Sequence, residues 1–303
     1  MHSLIWTGRV LSRALWSSIT NDTHALESNV NRKRDSHLVS AVCGFPKDFF
    51  FSALRKGKFG DDAWFSAKYK TADVIGVADG VGGWRQYGID AGEFSSFLMQ
   101  TCERLVTKGR FLPTDPADLL AKSYYELFET KQAVLGSSTA CIVILNKENS
   151  MIYTANIGDS GFVIVRQGQV VHRSEEQLHY FNTPFQLSLP PPDYDVVLND
   201  RPESADQSNF PVEDGDVILV ATDGVFDNVP DSILITELVK LQGEKDPIKI
   251  QCVANTIAWM ARNLAFDSSY MSPFAINARK NGIDVKGWGK PDDITVLLAT
   301  VAI

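Results

Sequence analysis

The chain has 303 residues, 44% of them hydrophobic and 22% charged, with a formal net charge of −8. That is the profile of a globular protein with one large or two medium domains, and the acidic balance gives a nucleic-acid role no electrostatic support. No apolar stretch approaches the roughly 18 residues of a membrane helix, and the four scattered cysteines (Cys43, Cys102, Cys141 and Cys252) contain no Cys-x-x-Cys, so they read as buried free thiols in a reducing compartment rather than a zinc or disulfide framework.

The first twenty residues, MHSLIWTGRVLSRALWSSIT, carry Arg9 and Arg13 and no acid, with Leu4, Ile5, Val10, Leu11 and Leu15 able to share one helical side. Arginines and serines in an acid-poor amphipathic segment are the composition of a mitochondrial presequence. Residues 1–37 are therefore expected to be a targeting segment and linker, ending in the basic NRKRDSH, and 38–303 the folded body, in the mitochondrial matrix.

Strand-length runs rich in β-branched residues recur through that body: AWFSAKY (63–69), VIGVA (74–78), TACIVIL (139–145), MIYTANI (151–157), GFVIVR (161–166), VILVAT (217–222) and ITVLLATV (294–301). Short links such as NKENS and QGQ make neighbours antiparallel. Runs apolar on both faces call for cover on both sides. Between them, Phe94, Phe97, Leu98, Cys102 and Leu105 have helical period, and a second helix is expected after Asp115, with Pro116 in its first turn. Two more follow, one from Asp231 and one carrying the stripe Ile250, Val253, Ile257, Met260 or Ala261, and Leu264. The order strands, two helices, strands, two helices, strand predicts an α+β fold: a four-layer αββα sandwich of two antiparallel sheets flanked by helix pairs. Residues 176–211 read as a loop-rich insertion.

Two of these runs end alike, VIGVADGVGGW at 74–84 and VILVATDGVFDN at 217–228. Asp-Gly between apolar runs is a hairpin signal, but neither is followed by an alternating strand. The other reading is a carboxylate delivered at a strand end, with glycine permitting a sharp reversal and close approach. Further acids border apolar runs: Asp61 and Asp62 in GDDAWF, Asp159 in NIGDSGF, Asp292 and Asp293 in KPDDITVLL. Each alone suits a turn or cap. Together they form an oxygen-only donor set of the kind hard divalent cations take.

The ordered motifs GDDAWF, VADGVGG, GSSTACIVIL, NIGDSGF, ATDGVFDN and PDDITVLL resemble the metal-dependent serine/threonine protein phosphatases of type 2C, over residues 40 to 303. HYFNTPFQL, YMSPFA and GKPDDIT are similar to that family's mitochondrial branch. The resemblance implies two Mn²⁺ or Mg²⁺, with a third, weaker ion in some members, and a bridging water as nucleophile. Asp79 would bridge the metals, with the Gly80 carbonyl a ligand. Asp61 takes a ligand position usually filled by Glu, Asp62 orients metal-bound water, Asp223 and Asp292 complete the first metal's shell, and Asp159 marks the third ion. Ser138 and Thr139 would back the site.

Phosphorylated proteins are the implied substrates, with no nucleic-acid partner and a monomeric enzyme. Two departures stand out. Val81 occupies the position of a His proposed as general acid, a role metal-bound water is then expected to fill. Gly57 stands where the family has a phosphate-gripping Arg, so Lys58, also a candidate for direct catalytic duty, or Lys56 or Arg55 would have to replace it. The alternative is a catalytically weak pseudophosphatase that binds phosphoproteins with the same fold. His172 and His179 lack metal-ligand spacing, and Trp84 and Trp288 read as core.

Overall fold

The computed structural model describes residues 36–48, 56–129, 134–192, 198–285 and 287–303. The targeting segment expected at the N-terminus, up to residue 35, and Arg55 lie outside them.

In chain order, β1 (His37–Phe45), β2 (Lys58–Phe59), β3 (Asp62–Lys68) and β4 (Ala72–Asp79) lead through a 3-10 turn at Gly82–Tyr87 into α1 (Ala91–Thr107) and α2 (Pro116–Glu129). Next come β5 (Gly136–Ser138), β6 (Ala140–Asn146), β7 (Met151–Ile157), β8 (Gly161–Arg166) and β9 (Gln169–Arg173). A small hairpin, β10 (Leu178–Tyr180) with β11 (Thr183–Pro184), precedes β12 (Leu187–Leu189), β13 (Asp206–Pro211) and β14 (Val217–Ala221). Helices α3 (Asp223–Phe226), α4 (Asp231–Val239), α5 (Pro247–Ala265) and α6 (Pro273–Lys280) end at the last strand, β15 (Ile294–Ala302).

The main sheets are antiparallel, ordered β1-β15-β14-β8-β9 and β13-β7-β6-β4-β3-β2. Period-two alternation along the apolar runs explains why they stack. In β4, Val74 and Ala78 point to the cluster beneath α1 and α2, while Ile75 and Val77 point to the cluster between the sheets. In β14, Val217, Leu219 and Ala221 face α4 and α5, while Ile218 and Val220 meet the other sheet. Fully burying each such Val, Leu or Ile side chain is worth about 1.5–3 kcal/mol. The result is the expected αββα sandwich.

The helices begin where their sequences say. Asp90 caps α1, its Oδ1 accepting from the Gly92 N–H at 3.0 Å. Asp115 does the same for Asp118 at 2.9 Å ahead of Pro116, and Asp246 precedes Pro247 at the start of α5. Four features differ from expectation. Strand β1 is a sheet edge of small residues without clean alternation. Strand β13, polar and at the other sheet's edge, lies with the short β10, β11 and β12 within the stretch expected to be loop. Helix α6 is short but starts with a Ser272 cap and Pro273. On α5 the buried stripe is Ile250, Ala254, Ile257, Ala258 and Ala261, which turns Cys252 outward; it is exposed rather than buried, and Cys43 is intermediate.

Candidate active site

Both Asp-Gly corners lie at one end of the sandwich. Strand β4 ends at Asp79, whose register partner on β3 is Asp62. Strand β14 ends just before Asp223, the first residue of α3, and β15 begins just after Asp292 and Asp293. Asp159 sits on the link between β7 of one sheet and β8 of the other. Neither corner is a hairpin. A 3-10 turn follows Gly80 and a helix follows Asp223. Both glycines are sterically required: a Cβ on Gly80 would lie 2.6 Å from the Ala91 carbonyl oxygen, and one on Gly224 would collide with the Asp293 carbonyl.

Ser138 and Thr139 hold the Asp79 corner in place. The Asp79 N–H donates to Thr139 Oγ1 at 3.1 Å, its carbonyl accepts from Ser138 Oγ at 2.8 Å, and the Thr139 N–H donates to the same carbonyl at 2.9 Å. The acidic pairs divide their labour. Asp62 Oδ2 accepts from Thr222 Oγ1 at 2.8 Å and Thr295 Oγ1 at 2.7 Å, tying one sheet to the other beneath the site. Asp293 accepts from the Asp61 N–H at 2.7 Å and the Lys47 N–H at 2.6 Å, so it orients the Asp61 backbone. Asp61 and Asp292 face an open cleft of about 680 Å³, as do Asp79, Gly80, Asp159 and Asp223.

Four cations line the same cleft: Lys47, Lys58, Arg85 and Lys290. Lys290 Nζ is hydrogen-bonded to Asp223, lies 2.6 Å from Asp227 Oδ2, and is 3.6 Å from Asp292 Oδ2. Its backbone is clamped by the buried Asn228 amide, which accepts from the Lys290 N–H at 2.7 Å and donates to its carbonyl at 2.9 Å. Arg85 forms a bidentate pair with Asp61 at 2.9 and 2.7 Å. Lys58 lies 3.7 Å from Asp90 and 3.8 Å from Glu93. Lys56 is exposed and outside the cleft lining.

The carboxylates are out of electrostatic balance. Burial, then repulsion from Asp223, Asp62, Asp292 and Asp159, holds the Asp79 carboxyl well above the usual range. Burial and Asp293 do the same to Asp62, and burial and Asp223 to Asp159. Burial and Asp223 push Asp292 to about 7, and burial raises Asp227 to about 6. Asp223 alone in this group moves down: it is buried, but the charge and hydrogen bond of the Lys290 ammonium outweigh that.

No three His, Cys, Asp or Glu side chains among the described residues form a ready cation cage; Lys290 sits among Asp223, Asp227 and Asp292, and Arg85 holds Asp61. The donor set nonetheless fits hard divalent cations. It is oxygen-only, its mutual repulsion is unrelieved at Asp79, and the buried Oδ1 atoms of Asp62, Asp159 and Asp223 have no hydrogen-bond partner. Orphaned buried carboxylate oxygens are costly unless a cation satisfies them.

Sequence reasoning missed Asp227, Arg85 and Lys290. The first was legible as the acid four residues after Asp223 in ATDGVFDN, one helical turn on. The two cations carried no spacing signal. Trp84 is core, with its Nε1 donating to Ser137 Oγ at 2.7 Å, but Trp288 is 53% exposed. His172 lies against Phe210 and contacts Ser208, and His179 pairs with Asp200. Neither lines the cleft.

The sequence and the fold have known counterparts. The family profile described as Protein phosphatase 2C matches residues 51–242. The chain belongs to the protein phosphatase 2C family, and with it to the metal-dependent serine/threonine protein phosphatases. It is 53% identical over 304 residues to the Protein phosphatase PTC7 homolog of Homo sapiens, covering 100% of this chain and 99% of the human protein. The Xenopus laevis homolog of the same name is 52% identical with the same coverage. Among solved structures, the photosystem II phosphatase PBCP superposes with a TM-score of 0.73 at 27% identity, over 87% of this chain and 98% of that one. The catalytic domain of the serine threonine protein phosphatase PstP, in complex with two manganese ions, shares the fold at a TM-score of 0.53 and 14% identity, over 88% of this chain and 100% of that one.

Proposed function

We propose that the chain hydrolyses phosphoserine and phosphothreonine on mitochondrial proteins, as a monomer acting in the matrix, with two Mn²⁺ or Mg²⁺ as resident cofactors. The observation that carries this reading is the convergence of Asp79, Asp223, Asp292 and Asp159 from separate elements on one cleft, with the buried Oδ1 atoms of Asp159 and Asp223 lacking a hydrogen-bond partner. Asp61, Asp79, Asp223 and Asp292, with the Gly80 carbonyl, would hold the pair, and Asp159 and Asp227 a third ion. Bound there, the cations would supply a water acidic enough to attack at neutral pH and charge neutralisation for the phosphoryl oxygens. The two manganese ions of the fold relative PstP and the presequence-like composition of residues 1–37 support the reading.

The chain's own residues set the geometry. Ser138 and Thr139 fix where the Asp79 carboxylate points. Asp62, locked between Thr222 and Thr295, keeps a buried acceptor oriented beneath the reacting centre, where it can hold the proton of the attacking water. Asp293 sets the Asp61 backbone. Lys58 places a cation on the cleft wall, beside Asp90 and Glu93. Val81 offers no proton donor, so the departing seryl or threonyl oxygen must take its proton from solvent in the cleft, a route worth less than a placed acid by about 10²–10⁴-fold.

The ion pairs Arg85–Asp61 and Lys290–Asp223 favour one other reading, a weak enzyme whose charges are neutralised internally and which binds phosphoproteins instead. Full-length protein assayed on a phosphothreonine peptide with Mn²⁺ and then with excess chelator separates the two. Metal-dependent phosphate release is expected. Release that survives chelation excludes the cation reading, and a stable phosphopeptide complex without turnover favours the scaffold.

A further inference from the structure

A phosphoryl dianion entering a cleft walled by carboxylates needs a cation that both attracts it and fixes its orientation. A planar guanidinium offers two parallel donors for this, whereas an ammonium is a point charge. Lys290 is committed to three carboxylates and Lys58 to two. Arg85 is differently placed. It arises from the turn immediately after Asp79-Gly80, not from the segment before Asp61. The turn is rigid: Trp84 is buried with its indole on Ser137, the Val81 N–H donates to the Ser137 carbonyl at 3.0 Å, and Gly88, at φ 74°, closes it onto the Arg85 and Trp84 carbonyls. A rigid base aims a long side chain. Its guanidinium lies on the cleft wall, held sideways by Asp61 through Nε and Nη2, while 59% of the side chain remains exposed. That sideways pair leaves the end-on edge, Nη1 with the second Nη2 proton, for an oxyanion.

We propose that Arg85 is the phosphate-positioning residue of this enzyme, gripping the phosphoryl group end-on while Asp61 holds the guanidinium from the side. The inference rests on the phosphatase reading above and assigns the phosphate grip within it. It moves the grip from the stretch around Gly57 to the turn after Asp79-Gly80, and it gives Asp61 a second duty as the guanidinium's anchor.

Full-length protein with saturating Mn²⁺ tests it, using a phosphothreonine peptide as substrate and inorganic phosphate as competitive inhibitor. Arg85→Gln should raise both the peptide KM and the phosphate inhibition constant roughly ten- to hundredfold, the worth of one or two charge-assisted hydrogen bonds, with a smaller change in kcat. Arg85→Lys should recover part of that loss and guards against a folding defect in the first variant. Mn²⁺ binding, read by electron paramagnetic resonance of the free ion, should shift less than threefold. An unchanged phosphate inhibition constant overturns the assignment, as does an effect confined to Mn²⁺ binding. A rise in that constant for Lys58→Met but not for Arg85→Gln overturns it in favour of Lys58. If the wild type neither hydrolyses the peptide nor responds to phosphate, the phosphatase reading falls and the assignment with it; if the wild type does both, only the Arg85 result decides.

Discussion

The two Asp-Gly corners share a sequence grammar and differ in charge. At each, a strand buried on both faces leads into a carboxylate, and the following glycine is there because a neighbouring backbone carbonyl leaves no room for a Cβ. Yet Asp223 has an ammonium against it, clamped there by Asn228, and its carboxyl is held low. Asp79 faces only other acids and is held high. One corner is compensated within the chain and the other is not. Local sequence fixed the backbone of each, while the tertiary fold fixed its electrostatic state.

Neutralising the two acids should break the comparison most visibly. With Mn²⁺, Asp79→Asn and Asp223→Asn should each lower phosphopeptide turnover by about 10³-fold or more, since each removes an oxygen from the charge-stabilising shell. In chelator their stabilities should diverge. Asp223→Asn takes away one of the three carboxylates around the Lys290 ammonium and should cost about 1.5–3 kcal/mol in denaturant unfolding, whereas Asp79→Asn removes a repelled buried acid and should cost nothing or stabilise. Equal destabilisation by both would show that the corners are electrostatically alike.

Next in size are the glycines. Gly80→Ala and Gly224→Ala should each destabilise by about 1–3 kcal/mol through overpacking against fixed carbonyls, with Gly224→Ala the worse, because its Cβ meets the nearer oxygen. Thermal unfolding in chelator reads both.

Lys290→Met sharpens the comparison from the other side. Removing the internal cation should raise Mn²⁺ affinity about tenfold, corresponding to roughly 1.4 kcal/mol, as measured by calorimetric titration. An unchanged affinity would mean that the ammonium does not compete with the ion.

The smallest expected effect is a slope. Asp292 has its folded pKa raised to about 7. A raised carboxyl contributes stability that is present below its unfolded pKa and is lost as pH rises through the folded one. In chelator the melting temperature of the wild type should therefore fall, relative to Asp292→Asn, as pH rises from about 4 to about 7. A parallel pair of curves would refute the shift.

Much of this was legible in the sequence, for identifiable reasons. VIGVA and VILVA are apolar at every position, which demanded cover on both faces and hence four layers. The failed hairpin grammar after Gly80 and Gly224 marked the carboxylates. Strand β1 was not legible because HLVSAVCGF lies at an edge and mixes small and half-buried residues, and β13 hid in a polar stretch. The compensating cations were hidden for a different reason. Lys290 reaches Asp223 across 67 residues, and only because β14 and β15 pair in one register. Arg85 reaches Asp61 across 24, through the reversal that follows Asp79. Such meetings are properties of sheet topology, and nothing in GWGKPDD or GGWRQ announces them.

Thr295 belongs to one sheet, Thr222 directly follows a strand of that sheet, and the Asp62 carboxylate they grip belongs to the other. That junction works like a rivet through two plates. Shear between the plates is resisted at that point, directly beneath the acidic cleft, so the strand ends that carry its carboxylates are held in one register with each other.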